Sequence, residues 1–150
     1  MNMSFNKIIG QKAVINSLKN CIHNDRVSHA YIFEGPEGIG KKTIAIFLAS
    51  TLTCEQRGTE PCGVCKSCIQ NKSGSHPDVK ILYGENGSIG VDMIRDIQKD
   101  MYIKPYSANK KIYIVSEADK MTLQAQNSLL KVLEEPPSYG MFILTTVNAS

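Results

Sequence analysis

No run of apolar residues in this 150-residue chain approaches the roughly 18 in a row that a membrane helix needs. The opening Met-Asn-Met-Ser-Phe-Asn-Lys lacks the basic-then-apolar layout of a secretory signal. Internal repeats and low-complexity tracts are missing as well, so nothing points to a solenoid or a linker. Nor is there a large excess of one charge. Seventeen basic against fourteen acidic side chains leave a formal +3, which tolerates a nucleic acid nearby without requiring one. These absences leave a cytoplasmic protein with no membrane partner. At 42% hydrophobic residues, 150 positions bury enough surface for one compact domain and not for two.

What is present alternates. Val14, Ile15, Leu18 and Ile22 fall on one face of a helix that follows Gly10. Ala30-Tyr31-Ile32-Phe33 is a short apolar run closed by Gly35-Pro36, which predicts a buried strand. A helix from near Gly40 carries Ile44, Ile46, Phe47 and Leu48 and gives way to a cysteine-rich loop. Then come a strand at Val79 to Leu82, a helix from about Val91 to Met101, and a strand at Ile112 to Val115. Lys110 and Lys111, just before that strand, read as a solvated turn. Met121 to Glu134 reads as a helix stopped by Pro136-Pro137, and Met141 to Thr146 as a fourth strand. Strands alternating with helices predict an α/β fold with a parallel sheet.

The most specific local signal is Gly35-Pro36-Glu37-Gly38-Ile39-Gly40-Lys41-Lys42-Thr43, a Gly-x4-Gly-Lys frame between a strand and a helix. Glycines let backbone N–H groups turn inward around a phosphate, the helix offers its positive end, and Lys41 reaches the outer phosphates. The alternative is a glycine-rich turn with no ligand. After the lysine the pattern wants a hydroxyl for Mg²⁺, yet this chain has Lys42, with Thr43 one step further on. A second departure sits at the end of the third strand. Enzymes of this type hold the metal there with an acidic residue, whereas Val115-Ser116-Glu117 offers Ser116 and leaves Glu117 as a weak catalytic candidate, or simply as a solvated carboxylate. Loss of a hydroxyl and an anion around one ion predicts ATP or ADP binding with weak or absent Mg²⁺, and defective hydrolysis.

Cys54, Cys62, Cys65 and Cys68 are spaced C-x7-C-x2-C-x2-C, which suits tetrahedral zinc better than disulfides in a cytosolic chain. The missing Cys-Pro at the fourth position weakens an iron–sulfur reading. Reduced thiols with no metal are the alternative. His76 is either a substitute ligand or a loop residue before Pro77, and Cys21 reads as a core residue.

Four strings together resemble the delta-prime-type clamp-loader subunits of bacterial DNA polymerase III, members of the AAA+ family. They are Ile8-Ile9-Gly10-Gln11, Ser28-His29-Ala30-Tyr31, Ser116-Glu117-Ala118-Asp119-Lys120-Met121 and Asn127-Ser128-Leu129-Leu130-Lys131-Val132-Leu133-Glu134-Glu135-Pro136-Pro137. The resemblance implies a five-stranded P-loop module with strand order 5-1-4-3-2 and an inserted zinc module, here at about residues 54–68. It implies that Ile8 to Gln11, Ile8 and Ile9 among them, lie near the adenine, that Gly35 to Thr43 surround the phosphates, and that Asn148 is a sensor. From the residues alone, Ile8 and Ile9 read equally well as packing and Asn148 as a turn former. The resemblance also implies partners: other clamp-loader subunits (gamma/tau and delta), and through them the sliding clamp and primed DNA. Family members continue into a fifth strand, an arginine motif, a helical lid and a collar. Residues 1–150 therefore read as the AAA+ nucleotide-binding core, truncated before the fifth strand, with lid and collar absent.

Two rival readings stand. One is an active motor ATPase of the gamma/tau kind, against which Lys42 and Ser116 argue. The other is a zinc-ribbon nucleic-acid binder, for which the cysteine loop lacks aromatics interleaved with its lysines. No polymerase motif occurs, so nucleotidyl transfer belongs to another subunit of the holoenzyme.

Overall fold

The computed structural model describes residues 18, 20–24, 29–35, 40–56, 58–84 and 87–147. Val14 and Ile15 of the expected opening helix lie outside them; residues 20–23 are helical, Leu18 is buried and Ile22 packs against the core. Along the chain come β1 (Ala30–Glu34), α1 (Lys41–Thr53), α2 (Lys66–Ser73), β2 (Val79–Leu82), α3 (Val91–Met101), β3 (Lys111–Val115), a 3-10 turn (Ala118–Lys120), α4 (Leu123–Glu134) and β4 (Gly140–Thr146). The strands form one parallel sheet in the order β1-β4-β3-β2. This is the expected α/β fold, and its order is the 1-4-3-2 portion of the order that the resemblance implies.

Every residue of β3 and β4 is buried, because each strand has neighbours on both sides and helices on both faces. Alternation then divides the core. Ile112, Ile114, Met141 and Ile143 face α1 and meet Ile44, Phe47, Leu48 and Ala49. Tyr113, Val115, Phe142 and Leu144 face the other way, toward Ile94, Ile97 and Met101 of α3 and Ala125, Leu129 and Val132 of α4. Those helical residues recur at intervals of three and four, the spacing that puts them on one face. The rings of Tyr113 and Phe142 stack with centroids 5.4 Å apart.

Several sequence expectations need correction. β1 is not buried: among the described residues it pairs only with β4, its residues alternate between exposed and half-buried, and Ile32 is 56% exposed. The last helix starts after Met121, which forms a bridge with Ile89 instead; the Thr122 hydroxyl accepts the Ala125 N–H at 3.1 Å and caps α4. The cysteine-rich segment is not all loop, since it contains α2, with the Cys65 sulfur at its N-cap and Gly74 in the left-handed region at its end. Lys111 is not in a solvated turn. It lies in β3, 4% exposed, and its ammonium donates to the carbonyls of Asp100 and Ile103 and pairs with the Asp100 carboxylate. Burial pushes the Asp100 pKa up, but the Tyr113 hydroxyl, Lys80 and Lys111 outweigh it and hold the group below the usual carboxylate range.

Core position and edge position carry different costs. Phe142→Ala is expected to destabilise the chain by about 3–5 kcal/mol, and Ile32→Ala by no more than about 0.5 kcal/mol, in urea unfolding.

Candidate functional site

In an open α/β sheet, ligands bind in the crevice beyond the carboxyl ends of the strands. Here the chain leaves β1 toward α1 on one face and leaves β3 toward the other, and a cavity of about 310 Å³ opens between these exits. Gly40, Lys41, Lys42 and Thr43 at the start of α1 line it on one side. Ser116, Glu117, Asp119, Lys120, Thr145 and Thr146 line the other.

Gly40 has φ 84°, a left-handed conformation that a side chain would strain, and it caps α1 without a side-chain bond. Gly35 closes β1 by donating its N–H to the Thr146 carbonyl at 3.1 Å. The Lys41 ammonium donates to that same Thr146 carbonyl at 3.1 Å and to the Gly35 carbonyl. It is thus held across the mouth of the β1–β4 pair by neutral acceptors. Pro36, Glu37, Gly38 and Ile39, together with Ile8, Ile9 and Asn148, lie outside the described residues.

Lys42 has different partners from Lys41. Its ammonium donates to the Tyr83 hydroxyl just beyond β2 and sits 4.3 Å from the ring centroid. Across the cavity, Ser116 is 9% exposed. Glu117 adopts φ 59°, the one positive φ among described non-glycine residues. Its N–H donates to the Thr145 hydroxyl at 3.1 Å, and its carboxylate pairs with Lys120 at 3.2 Å. Asp119 accepts a hydrogen bond from the Thr146 hydroxyl at 3.0 Å. Three lysines and two carboxylates therefore line the cavity, and both carboxylates already have protein partners. Sequence reasoning missed Tyr83, Asp119 and Thr146, because their roles depend on which strand ends meet. A larger groove of about 760 Å³ runs past β2, and none of the described residues of the glycine-rich segment lines it.

The four predicted cysteines come together. The sulfurs of Cys54, Cys62, Cys65 and Cys68 all lie within 4.8 Å of one another, with Cys54–Cys65 at 4.0 Å and Cys62–Cys68 at 3.9 Å. None is in a disulfide. A tetrahedron of thiolates on bonds of about 2.3 Å has edges of about 3.8 Å, so this donor set fits one four-coordinate metal ion. The backbone is arranged for anionic sulfur. The Cys62 sulfur accepts N–H groups from Val64 at 3.5 Å and Cys65 at 3.3 Å, and the Cys65 sulfur accepts that of Cys68 at 3.4 Å. The Val64 and Cys65 amides lower the Cys62 pKa to about 6, whereas burial pushes the Cys68 thiol well above its ordinary value.

His76 is not in this set. It is buried, its Nδ1 accepts the Asp78 N–H at 3.0 Å, and its Nε2–H donates to the Ser67 hydroxyl at 2.8 Å. Burial lowers its pKa against the pull of Asp78, which keeps the ring neutral. Cys21 is half-buried and apart from the four.

These environments separate the thiols chemically. In metal-free chain at pH 7, Cys62 is expected to react with iodoacetamide at least about tenfold faster than Cys68, with a rate midpoint about pH 6 read by peptide mapping.

A family model described as "DNA polymerase III, delta subunit" matches residues 10–150. The chain is 43% identical over 136 residues to DNA polymerase III subunit delta' of Bacillus subtilis, covering 91% of this chain and 41% of that protein. It is 38% identical over 143 residues to subunit tau of the same organism, covering 95% of this chain and 25% of that protein. A gamma subunit-related protein of Thermotoga maritima shares the fold, with a TM-score of 0.60 at 24% identity over 88% of this chain and 38% of that one. The chain thus spans less than half the length of each of these relatives. With a match across nearly all of its residues, it belongs to the DNA polymerase III delta subunit family.

Proposed function

We propose that this chain is the nucleotide-binding core of a clamp-loader subunit of DNA polymerase III, of the delta-prime kind, acting in DNA replication. On this reading it assembles with gamma/tau and delta subunits and helps place the sliding clamp on primed DNA. The observation that carries the reading is a family match spanning residues 10–150 of a chain that has a glycine-rich phosphate frame but an altered metal corner.

That corner favours binding over hydrolysis. A metal-dependent site needs a hydroxyl beside the lysine and an acid at the end of the neighbouring strand. Lys42 occupies the first place and is drawn to Tyr83; Ser116 occupies the second. Glu117 is engaged with Lys120. The lysines neutralise phosphate charge without an ion, so ATP or ADP binds with little need of Mg²⁺ and turns over slowly or not at all. A metal ion bound there would supply charge to the outer phosphates; the chain's own contribution is Lys41, released from two carbonyls, and the start of α1. The motor-subunit reading keeps the same cavity but requires magnesium-stimulated turnover.

For the cysteine knot we propose structural zinc. Four sulfurs leave no open position, which suits a structural site and not a catalytic one. Ser67 and Asn71 of α2, held beside the knot, bind His76 and the Thr53 hydroxyl and join the module to the core.

Calorimetry with ATP and ADP tests the nucleotide reading. Binding is expected to change by less than about twofold between Mg²⁺ and EDTA. Lys41→Ala is expected to weaken it by about tenfold to a hundredfold, the scale of one charge-assisted hydrogen bond. Magnesium-stimulated hydrolysis in an assembly whose other ATP sites are silenced would instead favour the motor reading.

A further inference from the structure

The cysteine knot lies apart from the phosphate cavity, and none of its sulfurs lines it. Its connections run to the opposite end of the sheet. Ser67 stands between two of the cysteines in the first turn of α2, and its hydroxyl meets His76 in a buried pair. The acceptor role of His76 Nδ1 toward the Asp78 N–H fixes the tautomer that lets Nε2–H face Ser67.

Asp78, 1% exposed, is a hub of hydrogen bonds. Its carboxylate accepts the N–H groups of Tyr106, Ser107 and Ala108, the last two at 2.7 Å, together with the Ser107 hydroxyl at 3.3 Å. Its carbonyl accepts the Ile112 N–H at 2.8 Å, where β3 begins. The other end of the segment is tied as well, through the Ile103 carbonyl to the buried Lys111 ammonium at 2.9 Å. Residues 102–108 are thus fixed from beneath at both ends, while Tyr102, Ile103 and Tyr106 stand 63%, 62% and 87% exposed. An exposed apolar loop ordinarily has little to hold it; this one borrows its order from buried polar groups.

We propose that the cysteine knot, when it holds its metal, sets the conformation of the 103–108 segment through Ser67, His76 and Asp78. The inference rests on the reading of the knot as a metal site. α2 has eight residues, too few to be stable as an isolated helix. Its place is fixed by Cys65 and Cys68 at one end and by the Asn71–Thr53 hydrogen bond at 2.9 Å. Without the metal, Ser67 loses its fixed position and His76 loses its partner. The peptide that presents the Asp78 carboxylate then loses its anchor, and the three amides of the segment open. His76 is a positioning residue here, with no role in holding the metal.

The test is amide hydrogen exchange on the full chain, with metal content measured in the same samples. Stripping the metal with a chelator is expected to speed exchange at Tyr106, Ser107 and Ala108 by at least about tenfold while Ile143 in β4 stays protected. His76→Ala is expected to keep its metal and reproduce the faster exchange. If chelation also exposes Ile143, the chain has unfolded globally and the metal-loaded His76→Ala variant decides. Metal retained in that variant with exchange at 106–108 within about twofold of the parent overturns the inference alone. A parent chain that binds no metal overturns both the zinc reading and the inference.

Discussion

The pairing of β3 with β4, buried on both faces, is the constraint on which the rest of the structure depends. Two adjacent parallel strands with no solvent face must be apolar along their length, and the alternation of their side chains then requires a helical layer on each side. The register Ile112↔Met141 through Val115↔Leu144 ends β3 beside Leu144 and carries β4 two residues further, to Thr146. At that level Ser116 and Glu117 meet Thr145 and Thr146, and β1, paired to β4, brings Gly35 beside them. The cavity is therefore a product of register. A slip of one residue would exchange the side chains of a strand between the two core layers and would also dismantle the cavity wall.

Within that frame the cavity is electrostatically unusual. Its carboxylates are already occupied, Glu117 by Lys120 and Asp119 by the Thr146 hydroxyl, while Lys41 reaches two carbonyls and Lys42 a tyrosine. A divalent ion entering here would have to break existing protein contacts to find anionic ligands, and a phosphate would have to draw Lys41 from two carbonyls and Lys42 from Tyr83.

Much of this was legible in the sequence because buried strands and amphipathic helices leave strong periodic marks. β2 and α3 run over the residues expected of them, and β3 and β4 differ by one. The four cysteines announce themselves by spacing alone. The misreadings share a cause. Residue type alone predicts a buried Ile32 and a solvated Lys111, yet exposure is set by where a strand falls in the sheet: β1 at an edge, β3 at its centre. A lysine before a strand ordinarily reads as solvated; Asp100 and two carbonyls make this one a buried tie. The Asp78 hub left no local signal, since its partners lie 28 to 30 residues away and are backbone amides that any sequence supplies.

The edges of the sheet have a different consequence. β3 and β4 have used their backbone groups on both sides, so the sheet can grow only outward from β1 or β2. Among the described residues β1 pairs with β4, and beside its exposed Ile32 a shallow apolar hollow is bordered by Leu129, Leu130, Leu133 and Leu144. That combination is adhesive, because a strand laid along it would gain a hydrogen-bond ladder and a greasy seat together.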